Sequence, residues 1–562
     1  MKLVKCGQSA GLPSLTVIAV ALIAALSGSV ASAQNESDAT ALNLASVSAL
    51  EQRVAAGDAA AQAELGQRFR RGQGLPMDYA QGRGLCARAA ESGNDEGRYC
   101  LALMSAYGEG EPTNPFKAAD LYASLVARGH AKSANNLALM YRSGEGIRKS
   151  PADGMRLLAE AAKVGDSTAL INMGRFLNTG DMFVSDAAKA APLMKRGYDL
   201  TVAGAEAGDP LAMEDLADDY LLPGNAVVKD AVAALQWLQK AWAGGGRAAA
   251  GVLLANWYER GVGGPADATR AALLLENVVK RTGAREAERE LARMLRFGLG
   301  IDKNLQRAKL LAISAGEKGD KLAQSSAGDM WDLGEGGPKD EAEAQRWHRL
   351  AASQGYAQSQ MNLAMLLNSA GDQAGAAYWF QRAAELGYRD AQYNLAQFYL
   401  DGKGGLGKSP EQAAAWFEKA AEKGDVEAQH NAGAMYLGDA GLPRDEARAA
   451  KWFGAAAVGG RPGSMVAYGS LLEDTARNRN DLRFAAVWFA KGAEKGVPAG
   501  YYNLGRMYRD GKGVFQSYPK ALDMFSLAAA NGMRQARDAI EEMYKKGQAK
   551  RPGRKQSGAA RS

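Results

Sequence analysis

The stretch from Gly402 to Ser409, GKGGLGKS, spells a phosphate-cradling pattern in which glycine amides wrap the phosphates, a lysine neutralises them and a hydroxyl holds magnesium. That chemistry needs a β-strand feeding the loop and a helix opening from it. The preceding residues, YNLAQFYLD, have helical spacing instead, and comparable glycine turns recur at 143–151, 297–304 and 510–519. The glycines therefore read as residues of positive φ that end a helix. Ser409, Pro410 and Gln412 read as the cap, first residue and capping partner of the next one. No nucleotide and no other cofactor is expected.

The remaining reactive residues are sparse. His130, His348 and His430 stand at unrelated positions without metal-ligand spacing, so solvated or helix-capping roles are expected for them. No nucleophile elbow or matched Ser/His/Asp set stands out, and the carboxylates read as solvated helix faces with ion pairs. No catalytic residue and no metal ligand is proposed. Cys86 and Cys100 lie seven residues before and after Gly93. In a helical hairpin about that glycine both thiols would stand about 10 Å from the turn, at matching height. A disulfide between them fits an oxidising compartment, with two independent buried thiols as the alternative.

The elements that must position these residues follow one period. A glycine closing an alanine-rich helical pattern recurs at Gly57, Gly93, Gly129, Gly165, Gly208, Gly246, Gly283, Gly319, Gly355, Gly387, Gly424, Gly460, Gly496 and Gly532, mostly 36 residues apart. That makes thirteen units. Four residues after each marker stands a small side chain, and nine after it always Gly or Ala, as at Gly66, Ala138, Gly433 and Gly505. Offsets four, eight and twelve stack along one face of a first helix, A, and the small residue at nine admits a second helix, B. Eight residues before the next marker comes a large apolar group, often Trp (347, 379, 416, 452, 488), expected to fill the space. One such pair of helices buries too little to stand alone, so units must stack.

The segments AQYNLAQFYLDGKGGLGKSPEQAAAWFEKAAEKGD (391–425) and AGYYNLGRMYRDGKGVFQSYPKALDMFSLAAANG (499–532) resemble the Sel-one-like repeat, a relative of the tetratricopeptide repeat. The resemblance covers about 57–546 and implies an all-α, right-handed superhelical α-solenoid of helix-turn-helix units. It also implies a binding role as adaptor or scaffold. Two units depart from the pattern: the one after Gly165 has about seven extra residues around Asp181–Pro192, expected as a longer surface turn, and the one after Gly355 lacks about four.

A further recurrence is asparagine seven residues after the marker, at Asn136, Asn172, Asn362, Asn394, Asn431 and Asn503. Such a ladder either holds an extended peptide in a groove or satisfies backbone groups between neighbouring helices. Its place beside the apolar stripe favours the second.

The ends complete the organisation. Lys2 and Lys5, an apolar run from Leu15 to Leu26 and Ala31-Ser32-Ala33 read as a signal peptide over 1–33, with a retained anchor as alternative. A linker and capping helix follow over 34–56, thirteen repeats over 57–531, a terminal capping helix over 532–546 and a basic disordered tail over 547–562. At the terminal cap, Glu541 replaces the small residue of offset nine, which is tolerable only where no further helix packs. The formal charge of +6 becomes about −3 without the seven basic residues of Lys545–Arg561 and the two leader lysines. The body is thus nearly neutral, and the tail is suited to an anionic surface. Nucleic acid is a poor partner for it. The expected molecule is an exported, periplasmic, non-catalytic scaffold that binds proteins or peptides in the cell envelope. The alternative is a periplasmic regulator restraining a sensor kinase.

Overall fold

The computed structural model describes residues 45–181, 185–221, 230–438 and 441–551. The expected signal peptide and residues 552–562 of the tail lie outside them. Among the described residues every regular element is an α-helix, from Val47–Ala55 to Arg534–Lys545. By contacts the chain divides into two compact units. One comprises the chain up to Ala323 with Gly334–Pro338; the other comprises Gln324–Leu333 and the chain from Lys339.

The turn at Gly402 shows how the sequence writes one hairpin. Helix A, Arg389–Asp401, ends at Gly402 with φ 71°, a left-handed conformation that costs glycine nothing. Helix B, Pro410–Glu422, opens with Ser409, whose hydroxyl accepts from the Gln412 N–H at 3.3 Å, and with Pro410 where no N–H is needed. A helix, not a strand, enters the glycine run.

Packing between A and B rests on a knob and a hole, and its register differs from the expected one. The residue in the hole lies seven, not eight, positions before the marker. Phe380, Phe417, Phe453, Phe489 and Phe525 are almost wholly buried; of the tryptophans one position earlier, Trp347 and Trp452 are buried as expected, while Trp379, Trp416 and Trp488 are half-exposed. A Cβ added to Gly433 would stand 2.9 Å from the Phe453 ring, and one added to Gly505 2.8 Å from that of Phe525. Each ring contributes roughly 1.5–3 kcal/mol by its burial. Trp416 and Trp488 lie beside the hole instead, with Lys419 and Lys491 over their rings at 3.5 and 4.1 Å.

The stripe of helix A also shifts. Offset eleven is buried, as Met104, Met294, Met330, Phe398, Met435, Leu471 and Met507 show, whereas offset twelve is mixed: Tyr399 and Tyr508 are half-exposed, Leu295 and Tyr436 buried. Offsets four, eight and eleven keep to one side at 3.6 residues per turn; four, eight and twelve drift. The small residue at offset four rests on the preceding helix B. A Cβ on Gly97 would meet the Ala89 Cβ at 2.7 Å, and one on Gly500 the Ala493 nitrogen at 2.7 Å.

The irregular units are absorbed locally. Residues added after Gly165 lengthen helix B to Ala187–Glu206, with Pro192 inside it, rather than the surface turn. In the unit after Gly355 only residues 370–372 join Ala357–Ser369 to Gln373–Glu385, capped by Asp372. After Ala243 the positive φ falls on Gly245, so Gly246 is one extra residue in that turn. Leu50 of Val47–Ala55 is fully buried at the start of the array, and Glu541 at its end is exposed.

Candidate protein-binding face

The six asparagines stand half-buried on helices A. Five donate to helix A of the preceding hairpin: Asn136 to the Tyr99 hydroxyl (3.1 Å), Asn431 to that of Tyr393 (3.2 Å), Asn172 to Asn135 Oδ1 (2.9 Å), Asn362 to Asp329 Oδ1 (3.0 Å) and Asn503 to Ser470 Oγ (3.5 Å). Asn394 donates within its own helix to the Asp390 carbonyl (2.8 Å). The amide groups thus tie neighbours together along one face. In a second set, five residues after the marker, Gln360 and Gln392 are buried and Gln429 half-buried, and each donates to a carbonyl of the preceding helix B at 3.1 Å. Sequence reasoning passed over these glutamines and the tyrosine acceptors, although the Tyr–Asn pairing is visible at 99/136 and 393/431.

Cys86 and Cys100 are joined, with sulfurs 2.08 Å apart, and both are fully buried. Their positions correspond to the knob and the asparagine of other hairpins: Cys86 fills the hole at Gly66, and Cys100 stands seven residues after its marker.

The histidines separate into three environments. His130 caps the helix Ala131–Ser143, its Nδ1 accepting from the Ser133 N–H at 3.2 Å. His430 is half-buried, with Nδ1 2.9 Å from Ser464 Oγ. His348 is neither solvated nor a cap. It occupies the knob position where other hairpins place Phe, its ring 2.8 Å from where a Gly328 Cβ would stand. Burial pulls its imidazole down to about 4, against a weaker opposing pull from Asp332. The signal was its place seven residues before Gly355.

In the first unit ion pairs link charged groups of successive hairpins. Lys132 pairs with Glu96 at 3.2 Å, and His130 approaches the same carboxylate at 3.5 Å. Burial acts to raise Glu96, and Lys132 with His130 more than offsets it, holding the carboxyl at about 2. Arg247 meets Glu214 at 2.5 Å, and Arg70 meets Glu109 at 3.0 Å. This unit also departs from nearest-neighbour packing. The turn after Arg71 reaches the sixth hairpin, where the Met77 N–H donates to the Thr282 carbonyl at 2.7 Å, and Arg285 of the seventh lies 5.8 Å from the Tyr79 ring. Among the described residues no cluster of three or more metal-ligating side chains forms, and no helix is long and apolar enough to cross a membrane.

The Sel1 repeat model matches twelve stretches: residues 59–94, 96–130, 131–166, 210–245, 249–276, 285–320, 322–356, 357–388, 389–425, 426–458, 465–497 and 498–533. The chain belongs to the Sel1 repeat family. The Sel1 matches omit 167–209, the fourth hairpin, with its lengthened helix B and Pro192, where the pattern is most altered. Solved structures similar to this Sel1 repeat protein include a protective antigen of uropathogenic Escherichia coli with an SLR fold. It is 26% identical, with 90% of this chain and 91% of that one covered and a TM-score of 0.34. A Sel1 repeat protein from Oxalobacter formigenes is also 26% identical, covering 43% of this chain and 96% of that one, with a TM-score of 0.35. A third, from Klebsiella pneumoniae, is 22% identical over 35% of this chain and 98% of its own, with a TM-score of 0.23. No curated protein matches significantly. Sel1 repeat proteins generally mediate protein–protein interactions, and the family is typically non-catalytic.

Proposed function

We propose that this Sel1 repeat protein is an exported, non-catalytic scaffold that binds a protein partner in the cell envelope through its helix-A face. The observation that carries the export reading is the buried Cys86–Cys100 bridge between the first two hairpins. Structural disulfides persist in oxidising compartments and are rare in the reducing cytosol. The leader-like pattern of Lys2, Lys5, the apolar run and Ala31-Ser32-Ala33 supports the same compartment. A repeat stack offers a long surface on which separate hairpins engage separate parts of a partner. The basic segment 547–562 adds an attraction to anionic surfaces.

The test is fractionation followed by affinity capture from envelope extracts, with mass spectrometry of what is retained. Recovery of the mature chain in the periplasmic fraction, with envelope-assembly components bound, supports the scaffold. Recovery in the cytosol overturns the export reading. Capture of a sensor kinase in place of assembly components would make the protein a regulator instead.

A further inference from the structure

Arg71 ends the helix Ala59–Arg71, just before the turn that meets the sixth hairpin. A Cβ on the next residue, Gly72, would stand 3.1 Å from the Thr282 Cβ and 3.2 Å from the Ala248 Cβ. The close fit brings Gly72 together with Ala248 and Thr282, 176 and 210 positions further along the sequence. Arg71 feels the charges of Glu64, Tyr99, Lys132, Glu214 and Arg247, which come from five different hairpins. It therefore stands on an interior that the helices A of this unit surround.

The cations near it are provided for. Arg68 pairs with Glu64 at 2.8 Å, Arg70 with Glu109, Lys132 with Glu96 and Arg247 with Glu214. Arg71 has no hydrogen bond or ion pair, and its Nε is sealed from solvent without an acceptor, while the residue as a whole keeps some exposure. Burial first, and then repulsion from Arg70 and Arg247, pulls the guanidinium down to about 10. Glu64 and Glu214 attract it only from beyond pairing distance, and a desolvated cation without a paired anion is costly to a fold; such a cost is retained where a ligand supplies the missing partner.

We propose that Arg71 anchors a carboxylate-binding site, and that its ligand is an acidic side chain or chain terminus of an extended peptide lying along the helix-A interior. The planar guanidinium fork matches a carboxylate in two parallel hydrogen bonds. One unpaired cation suits one carboxylate. A polyanion would need many and would meet the carboxyl of Asp218, which lies close enough to Arg247 to feel its charge. This inference rests on the reading that the helix-A face binds a partner, and it names the chemistry of one contact.

The test uses the full-length protein, a fluorescein-labelled Gly–Ser peptide with a single Glu and an amidated end, and its Gln counterpart, read by fluorescence anisotropy. The wild type is expected to bind the Glu peptide and not the Gln peptide. Arg71→Met is expected to weaken that binding at least about tenfold, the loss of a charge-assisted pair. Arg71→Met is also expected to melt at or above the wild-type temperature, because it removes an unpaired cation; a structural arginine would give a lower melting temperature. Three results overturn the proposal: equal binding of both peptides, undiminished affinity in Arg71→Met, or displacement of the Glu peptide by inorganic phosphate in preference to chloride. Envelope capture that retains a partner equally well with Arg71→Met overturns this site alone. Capture that retains none, with Glu-peptide binding intact, overturns the scaffold reading and leaves the site standing.

Discussion

The hairpins about Gly93 and Gly424 place different chemistry in the same two positions. Seven residues before and after the marker stand Cys86 and Cys100 in the first, Phe417 and Asn431 in the second. The difference reaches the backbone. Where the knob is a thiol, the helices come together: a Cβ on Gly66 would meet the Gly82 carbonyl oxygen at 3.0 Å and the Cys86 nitrogen at 3.2 Å. Where the knob is a ring, as at Gly433 facing Phe453, the three nearest atoms all belong to the ring. At these two positions the smaller knob accompanies the closer backbone approach, and a small residue opposite the knob, Gly or Ala, is the common requirement.

Substitutions that exchange the two arrangements break or sharpen this comparison. Cys86→Phe is expected to have the largest effect. It removes the bridge and forces a ring between backbones already in contact, for a loss of roughly 4 kcal/mol or more, seen as a lowered midpoint in chemical denaturation. A stable Cys86→Phe protein would show that knob size does not govern the approach. Reducing the bridge alone closes no new space and overpacks nothing. Fourteen residues separate the cysteines, so the loss of loop constraint should be about 3 kcal/mol, followed as the shift in the melting of the first unit with and without reductant. Asn431→Ala is the mildest. It gives up one hydrogen bond to Tyr393 and should cost about 1 kcal/mol while leaving partner capture intact; lost capture would move Asn431 from structure to recognition.

Most of the hairpin was legible because its determinants are local. Marker glycines, N-cap residues and Pro at the first helical position each act within one turn, so Gly402, Ser409 and Pro410 could be read without their neighbours. What escaped depends on the neighbouring helix. Trp416 and Phe417 are adjacent and both large, and only the rotation of helix B about its axis decides that Phe417 enters the hole while Trp416 lies beside it under Lys419. Tyr399 at offset twelve was preferred over Phe398 at eleven for the same lack. His348 was read from its residue type rather than its register. Arg71 was invisible because its surroundings are assembled from hairpins far apart in the chain, and a period of 36 residues says nothing about contacts between its first and sixth copies.

The register claim is tested most directly at His348. Its folded-state value of about 4 lies below the ordinary 6.5, so between these values the unfolded chain holds the extra proton. Stability is complete above pH 6.5 and falls as pH drops toward 4, by about 3 kcal/mol in all. The measurement is the pH dependence of chemical denaturation of the wild type and His348→Phe between pH 7 and pH 4. If the knob positions are equivalent, His348→Phe folds with at least wild-type stability at pH 7, because Phe occupies the same place against Gly433, Gly469 and Gly505, and it loses the acid-induced fall. A His348→Phe protein that unfolds at pH 7, or that keeps the wild-type fall toward pH 4, would contradict the account.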